Sequence, residues 1–417
     1  MFFHAWLRSE ALALSRASGM IAALSHSDTA PTIRAATKAR GGPASTDGPV
    51  SRQFTKSALL NPLSPLHPGR YSATPPQPIG TQRTDEGLRQ APRYNRSQPA
   101  FDCPSPSPEP RCVEEVTVCP ICQSPRRSAF ATVRDAGEDV AYQLCLRCGH
   151  VYQSPRMSPD EMEAFYSSGY RLIKQGTEEP TEKDLLTQTA RALGAIRMIA
   201  GQLPSASRHL DLGSSSGALL EAFRDRFQCQ GVGIEPGESY RHYSLARGLR
   251  VFPDLADLIE AAEAPFDLVT AMHVLEHLPD PSATLAQLRI RHMHPGAFLL
   301  VEVPNLAEHQ CLELAHLHAF TISSLKDAVK RAGFQIEWVR CHGSFRSPIL
   351  RLYVTLLARV VDKPSVSKYL PFAAYRTRVS RRIGVAKREF FTQLYPDWTW
   401  QSPEKAIEKW AGTVRIK

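Results

Sequence analysis

Four cysteines occur as two C-x-x-C pairs, a spacing suited to metal ligation. Cys119 and Cys122 form the first pair, Cys145 and Cys148 form the second, and 22 residues separate the two pairs. Each pair on a tight turn supplies two thiolates, and four thiolates complete the tetrahedral shell of a Zn²⁺ ion. Such a site has no open coordination position. We therefore predict a structural zinc ion that holds together a domain too small to fold alone.

A second segment, Asp211-Leu-Gly-Ser-Ser-Ser-Gly217, joins a predicted strand to a predicted helix. Gly213 permits a tight turn and close approach of a ligand, and Gly217 permits close packing of strand and helix. The next predicted strand ends in Glu235, whose carboxylate can accept hydrogen bonds from both hydroxyls of a ribose. Ser215 stands where a dinucleotide-binding loop has its middle glycine, so NAD and FAD are disfavoured. Taken alone, the segment is also compatible with a plain strand–helix turn.

The segment FDLVTAMHVLEHLPDP places two histidines and a glutamate just past another predicted strand. If the segment turns helically, His273 shares a face with Glu276 at i+3 and with His277 at i+4. A neutral imidazole can take a proton from a hydroxyl, an amine or a carbon acid. We predict that His277 is the general base and that His273 and Glu276 position it. The alternatives are that Glu276 caps or braces the following helix, or that His277 is a hydrogen-bonded structural residue.

Two further polar groups occur later in the sequence. His316 and His318 form a polar cluster before a predicted helix, which Thr321 can cap. Asn305 follows the fifth predicted strand and is expected to face the cleft.

Predicted strands and helices of about ten residues alternate from RHLDLG to FQIEWVR. Several of the strands are apolar almost throughout, as expected when helices cover both faces of a sheet. The pattern predicts an α/β domain with a largely parallel sheet, whose carboxyl edge would carry the polar residues described above.

From about Cys119 to about Arg340, the chain resembles the class I S-adenosylmethionine-dependent methyltransferases, especially those in which a zinc-binding segment precedes the catalytic domain. The resemblance is carried by CPIC, CLRCGHVYQSPRMSPDEMEAFYSSGY, HLDLGSSSGALLEAF, GVGIEP, FDLVTAMHVLEHLPDP, HPGAFLLVEVPN and HAFTISSLKDAVKRAGF. It implies a Rossmann-like fold with a mostly parallel seven-stranded sheet, preceded by a small zinc-ribbon-like module. It also implies S-adenosylmethionine as the cofactor.

The resemblance further implies where that cofactor lies. The residues concerned are Asp211, Gly213 and Gly217 at the methionine end, Ser215 in the same loop, Glu235 at the ribose and Asp254 near the adenine. In some similar proteins the acidic and histidine residues matching His273, Glu276 and His277 instead bind a metal or shape the substrate pocket. The segment with His316 and His318 lies beside the active site in similar proteins, which explains it as well as helix capping by Thr321 does. Ser215 and Ala297 replace glycines that are commoner at these positions, which leaves a degenerate member of the class open.

Three functions are compatible with this resemblance. The first is methyl transfer to an oxygen or carbon atom of a small sugar, polyketide-like or quinone-like acceptor. The second is an RNA methyltransferase with a zinc ribbon, and the third is a partner-binding module without catalysis. The first is favoured, because the segment from the second cysteine pair to Phe165 and Tyr166 resembles that of sugar and natural-product methyltransferases. The second is disfavoured, because the cysteine pairs lack the interleaved basic and aromatic residues of a nucleic-acid binder.

The charge distribution also disfavours a nucleic-acid partner. The net charge is +9, but residues 1–100 hold 12 Lys and Arg against 5 Asp and Glu, whereas the remaining residues hold 38 against 36. A phosphate-binding domain usually carries its own basic surface. Here the excess of positive charge lies in the N-terminal segment.

Four regions are predicted along the chain. Composition predicts a disordered Pro-, Ser- and Arg-rich tail over 1–112. The cysteine spacing predicts the zinc module over 113–170, the resemblance implies the methyltransferase domain over 184–345, and a C-terminal extension occupies 346–417. No run of residues is long and apolar enough for a membrane span. Scattered cysteines indicate a reducing compartment and a cytoplasmic location. The first 25 residues are compatible with either an upstream extension or an organellar transit peptide.

Overall fold

The computed structural model describes residues 113–411, apart from residues 204, 262, 264, 363–368 and 370. All described residues belong to one compact unit. The tail predicted over residues 1–112, with its transit-peptide alternative, lies outside the described residues.

The chain begins with a small antiparallel β-structure, which we call the four-cysteine module (residues 113–170). Its strands are β1 (Val113–Glu114), β2 (Arg127–Asp135), β3 (Glu138–Cys145), β4 (Val151–Gln153) and β5 (Arg156–Met157). Strands β2, β3 and β4 form consecutive antiparallel pairs, and β1 pairs with β5. Gly149 has φ +75° in the turn after the second cysteine pair, a conformation that glycine adopts without strain.

Helices and parallel strands then alternate. The helices are α1 (Pro159–Ser168), α2 (Tyr170–Gln175), α3 (Glu182–Ile199), α4 (Ala218–Phe227), α5 (Glu238–Ala246), α6 (Leu255–Glu260), α7 (Pro281–His292) and α8 (Ile322–Arg331). Helix α1 begins with a capping box in which the Ser158 hydroxyl accepts from the backbone N–H of Glu161. The Thr181 hydroxyl caps α3 in the same way, through the N–H of Asp184.

The remaining strands are β6 (Arg208–Leu212), β7 (Gln230–Ile234), β8 (Arg250–Phe252), β9 (Phe266–Met272), β10 (Met293–Pro304), β11 (His318–Ala319), β12 (Phe334–His342) and β13 (Tyr353–Val360). All of these except β11 form one seven-stranded sheet in the order β12-β13-β10-β9-β6-β7-β8. Only β13 runs antiparallel to its neighbours among these seven strands. The predicted fold class, a mostly parallel sheet of the class I methyltransferase type, is confirmed.

The centre of the sheet is the hydrophobic core of the domain. Every residue of β9 except Asp267 is buried, and so is every residue of β13 except Arg359. Strands covered by helices on both faces need this near-continuous apolar sequence.

Two boundaries differ from those expected from sequence. Strand β13 lies inside the seven-stranded sheet, although the domain was predicted to end at residue 345. Strand β11, from the methyltransferase part of the chain, pairs with β4 and completes the sheet of the four-cysteine module. Strand β13 pairs with the nearby β12 and with the more distant β10, whereas β11 pairs with a strand far earlier in the chain. Composition does not reveal such strand pairing.

The chain ends in helices α9 (Ala373–Leu394), α10 (Pro396–Thr399) and α11 (Pro403–Ala411). Helix α9 packs against the module through small residues: the Thr377 hydroxyl donates to the carbonyl of Gly149, and Ala373 lies beside the same glycine. Gly384 of α9 approaches the Ala307 carbonyl so closely that a Cβ would lie 2.0 Å from it. No helix in the described part of the chain is long and apolar enough to cross a membrane.

Candidate active site

A cavity of about 300 Å³ opens at the carboxyl edge of β6, β7 and β9. This is the edge at which α/β domains bind their ligands. Of the residues predicted for cofactor or catalysis, those lining the cavity are Gly213, Ser215, Glu235, Asp254, His273, Glu276 and His277. Asp211 and Gly217 do not line it.

Three residues of the loop after β6 have positive φ: Gly213, Ser215 and Gly217. Gly213 has φ +71°, and Ser215 has φ +50° although it carries a side chain. The left-handed conformation explains why glycine would be the easier residue at position 215. Gly217 has a packing role, because a Cβ there would lie 2.2 Å from the Leu249 side chain.

Glu235 ends β7 and is held by the same loop. One carboxylate oxygen accepts from the N–H of Ser215 at 2.8 Å, and the other accepts from the N–H of Gly237 at 3.0 Å. The side chain is 5% exposed on the wall of the cavity. Because each carboxylate oxygen has a further lone pair, both can also accept from ribose hydroxyls.

Asp211 lies behind the main cavity, where it lines a small adjoining space with Gly213 and Arg191. The Thr270 hydroxyl donates to it at 2.6 Å. Burial raises the pKa of Asp211 to about 7. A carboxyl so placed can receive an ammonium group that enters the small space.

Asp211→Asn is expected to stabilise the protein more at about pH 8 than at about pH 5. A raised pKa contributes stability fully below the ordinary value of 3.8, and that stability is lost as pH rises through about 7. Asparagine stays neutral at every pH. The gain in free energy of unfolding from Asp211→Asn should therefore grow by about 2 kcal/mol between about pH 5 and about pH 8. Urea unfolding at both pH values, without cofactor, measures it. The exposed Asp225→Asn is the control, and a gain for Asp211→Asn that does not vary with pH would contradict the argument.

Asp254 caps helix α6, since one carboxylate oxygen accepts from the N–H groups of Ala256 and Asp257. Its other oxygen, Oδ2, is buried and has no hydrogen-bond partner among the described residues. A buried unpartnered acceptor on a cavity wall is costly unless a ligand donates to it. The predicted position near an adenine amino group would supply such a donor.

His277 stands at the base of the cavity in the 3₁₀ turn Leu275–His277. Its Nδ1 lies 2.9 Å from the Ala315 carbonyl and 2.8 Å from the Tyr166 hydroxyl. Because a carbonyl only accepts, we assign the proton to Nδ1, which leaves the lone pair on Nε2. Burial and the neighbouring His316 lower the pKa of His277 to about 4, so the ring is neutral near pH 7.

Glu276 is a buried carboxylate surrounded by histidines. Its Oε1 lies 3.5 Å from His273 Nδ1, and neither oxygen has a hydrogen bond among the described residues. Burial alone would raise the pKa of Glu276, but His273, His277 and His316 outweigh burial and lower it to about 2. The site therefore holds an anion with unused acceptor capacity.

Glu276, His277 and His316 also form a group able to hold a cation. One ligand atom from each lies within 4.8 Å of the others. Carboxylate and imidazole together suit a divalent transition metal, and the unpartnered oxygens of Glu276 fit such a role.

His273 has φ +60°, the left-handed region that a side chain seldom occupies. Its Nε2 lies 3.2 Å from Glu302 Oε1, and Glu302 Oε2 lies 3.3 Å from His342 Nε2. The Thr355 hydroxyl also donates to Glu302. His273 is therefore fixed from behind by strand β10.

The other polar groups expected at the cleft have different outcomes. His316 lines the cavity. His318 is buried away from it, between His150 and the Leu278 carbonyl. Asn305 bonds to the Arg351 carbonyl and lies outside the cavity lining. Thr321 caps helix α8 within a capping box.

Several residues of the cavity wall were not singled out from sequence, among them Tyr166, Tyr170, Arg171 and Arg191. The Arg171 guanidinium donates to the Ser215 hydroxyl at 3.2 Å and lies over the Tyr240 ring at 3.6 Å. Arg191 has no ion pair among the described residues. The aromatic run FYSSGY ahead of the first parallel strand was the available signal, but its distance from the loop concealed the contact.

The four cysteines of the module converge as their spacing predicts. The Sγ atoms of Cys119 and Cys148 lie 3.6 Å apart, and those of Cys122 and Cys145 lie 3.5 Å apart. A tetrahedral zinc ion with Zn–S bonds of about 2.3 Å separates its sulfurs by roughly 3.8 Å. The donor set and its spacing fit zinc.

Comparison with known proteins agrees with this geometry. Residues 185–338 match the family described as "Methyltransferase domain". A ubiquinone biosynthesis O-methyltransferase of Hahella chejuensis is 36% identical over 105 residues, which are 24% of this chain and 43% of that protein. Its namesake from Xylella fastidiosa strain 9a5c is 32% identical over 123 residues, 27% of this chain and 50% of that protein. The chain thus spans about half the length of these curated relatives.

Among solved structures, a SAM-dependent methyltransferase of Archaeoglobus fulgidus has 16% identity and a TM-score of 0.35, covering 43% of this chain and all of the other. The family match and the seven-stranded sheet together identify residues 185–338 as part of a class I methyltransferase domain, the S-adenosylmethionine-dependent type. Its named relatives are the O-methyltransferases described above.

Proposed function

We propose that this protein transfers the methyl group of S-adenosylmethionine to an oxygen or carbon atom of a small acceptor, with His277 as the base that removes the acceptor's proton. The observation that carries the proposal is the neutral His277 ring, whose Nδ1 is held by the Ala315 carbonyl at 2.9 Å at the base of the cofactor cavity. Methyl transfer needs a deprotonated nucleophile, and a fixed imidazole lone pair supplies the base.

In this proposal the cofactor extends along the loop after β6. Glu235 accepts from the ribose hydroxyls, and the free oxygen of Asp254 accepts from the adenine amino group. Asp211 receives the ammonium group of the methionine part, and Arg191 beside it receives the carboxylate, since it is an unpaired cation among the described residues. Bound S-adenosylmethionine supplies an electrophilic sulfonium methyl group, and these residues only hold and orient it.

The chemistry of the cavity supports an aromatic acceptor with a hydroxyl group. Tyr166 and Tyr170 contact the His277 ring edge-on, with ring centroids 5.8 and 5.9 Å away. The centroid of the His316 ring lies 4.9 Å from that of the His277 ring. Edges of aromatic rings pack well against a planar acceptor. The names of the O-methyltransferase relatives favour oxygen as the methylated atom.

A metal-assisted version is favoured by one separate observation, the unpartnered buried carboxylate of Glu276. A divalent cation held by Glu276, His277 and His316 would lower the pKa of an acceptor hydroxyl bound next to it. His277 would then serve as a ligand, and its Nε2 would not be free to act as a base.

His277→Ala is expected to lower kcat by about 10²- to 10⁴-fold and to change cofactor affinity little. Methyl incorporation into a panel of phenols and catechols measures this, and the exposed His242→Ala is the matched control. Burial lowers the pKa of His277 to about 4. The decrease of kcat/KM on acidification should therefore occur at pH values well below 6. If His277→Ala turns over at the wild-type rate, His277 is not the general base.

The same assay separates the two versions. Activity that survives treatment with a chelator at a strength that leaves the protein folded supports His277 as the base. Activity that is lost and then restored by a divalent ion assigns Glu276, His277 and His316 as metal ligands instead.

A further inference from the structure

A second cavity, of about 500 Å³, lies apart from the active site. Its walls come from the end of β12, the loop that leads to β13, helix α9 and helix α11. No residue lines both this cavity and the cavity at His277. It is therefore a separate space within the described part of the chain.

The lining of this second cavity is positively charged. Its charged residues are Arg340, Arg351, Lys387, Lys405 and Lys409, and the described lining contains neither aspartate nor glutamate. Only Lys387 has a carboxylate partner, Glu308, at 2.9 Å. The other four cations have no ion pair with any described residue. Leaving four like charges around one concavity costs free energy unless an anion occupies it.

The loop that forms the floor is rigidly built. A Cβ on Gly343 would lie 2.2 Å from the carbonyls of Ser347 and Leu350, so only glycine fits there. The buried Ser347 hydroxyl donates to the Trp398 carbonyl at 2.7 Å and accepts from the N–H of Leu350. The loop is thereby tied to the segment that precedes α11. The two exposed lysines of α11, one turn apart, thus face a fixed rim.

We propose that this cavity binds a phosphate-bearing small molecule. Phosphate oxygens are strong acceptors for several cations at once. Four cations without an ion pair line this cavity, and the fifth, Lys387, is already paired with Glu308. The concave shape favours a compact ligand over an extended strand. Cys341, which also lines the cavity, is not expected to react with it, because burial raises the pKa of its thiol to about 11.

Inorganic pyrophosphate is the probe, titrated calorimetrically into the full-length protein at low ionic strength. The test variant is Lys405→Gln with Lys409→Gln, two exposed positions that leave the fold intact. The matched control is Arg376→Gln with Arg382→Gln, which removes the same charge from exposed positions of α9 outside the cavity. The test variant is expected to bind pyrophosphate about tenfold more weakly or worse, and the control is expected to bind as wild type does.

Three further results decide the proposal. Failure of pyrophosphate to bind, or an equal loss in both double variants, overturns it. Displacement of pyrophosphate by S-adenosylhomocysteine also overturns it, because the anion would then lie in the active-site cavity. A single-stranded oligonucleotide that binds more tightly than pyrophosphate, and loses affinity in the test variant, reassigns the cavity to a polynucleotide. Each readout is a binding measurement and is independent of methyl transfer.

Discussion

Replacing Glu235 by glutamine is expected to weaken S-adenosylmethionine binding by about 100-fold or more. The carboxylate accepts from the N–H groups of Ser215 and Gly237 while facing the cavity. Hydrogen bonds to a charged acceptor contribute about 1.5–3 kcal/mol each, and two ribose hydroxyls would lose this contribution together. In addition, the amide NH₂ of glutamine would face one of these backbone N–H groups, so that two donors would oppose each other without an acceptor.

Calorimetric titration with S-adenosylmethionine and S-adenosylhomocysteine measures the effect. Glu238→Gln is the control, because Glu238 opens helix α5 close by and its side chain is 74% exposed. Glu235→Gln should bind both S-adenosylmethionine and S-adenosylhomocysteine more weakly than wild type does. Glu238→Gln should bind both as wild type does. Unchanged binding in Glu235→Gln would exclude this side chain from the cofactor site, and absence of binding by the folded wild-type protein would favour a non-catalytic module.

Changing Cys119 and Cys122 together to serine is expected to remove the metal and unfold the four-cysteine module. The four buried sulfurs lie close enough that their contacts raise the pKa of the Cys148 thiol far above its ordinary value. Four thiolates can coexist there only around a cation. Structural zinc supplies on the order of 10 kcal/mol of folding free energy in small modules, which exceeds what so few strands can provide.

Metal analysis of the purified protein should give about one zinc per chain for wild type and close to none for the double variant. Cys341→Ser, a cysteine far from the cluster in sequence, should keep its zinc and its thermal unfolding midpoint. A wild-type protein that is folded but free of metal when purified without chelator would overturn the zinc assignment.

Local patterns were sufficient to predict most strands of the sheet, although not that β13 belongs to it. The segments RHLDLG, FDLVTAM and FQIEWVR are strands as expected. Short apolar runs between turn residues favour strand conformation through local sequence alone. The two cysteine pairs and the residues of FDLVTAMHVLEHLPDP also converge as predicted. In both cases the candidate residues are close in sequence or follow the end of one strand.

Residues brought in from a distance could not be predicted. Arg171 reaches Ser215 across 44 positions, and Glu302 supports His273 from a neighbouring strand. Asp211 follows the expected motif, yet its side chain turns toward Thr270 and away from the main cavity. Such placement depends on rotamers and packing that no sequence pattern encodes.

Strand β11 has a consequence for how the protein is made. The four-cysteine module leaves the ribosome with the outer edge of β4 unpaired, and its partner, His318–Ala319, is synthesised about 165 residues later. At a few to twenty residues per second, that edge stays open for roughly ten seconds or more. Exposed strand edges invite pairing with other chains. The nascent chain can therefore pair with other chains at the edge of β4 until most of the methyltransferase domain has been translated.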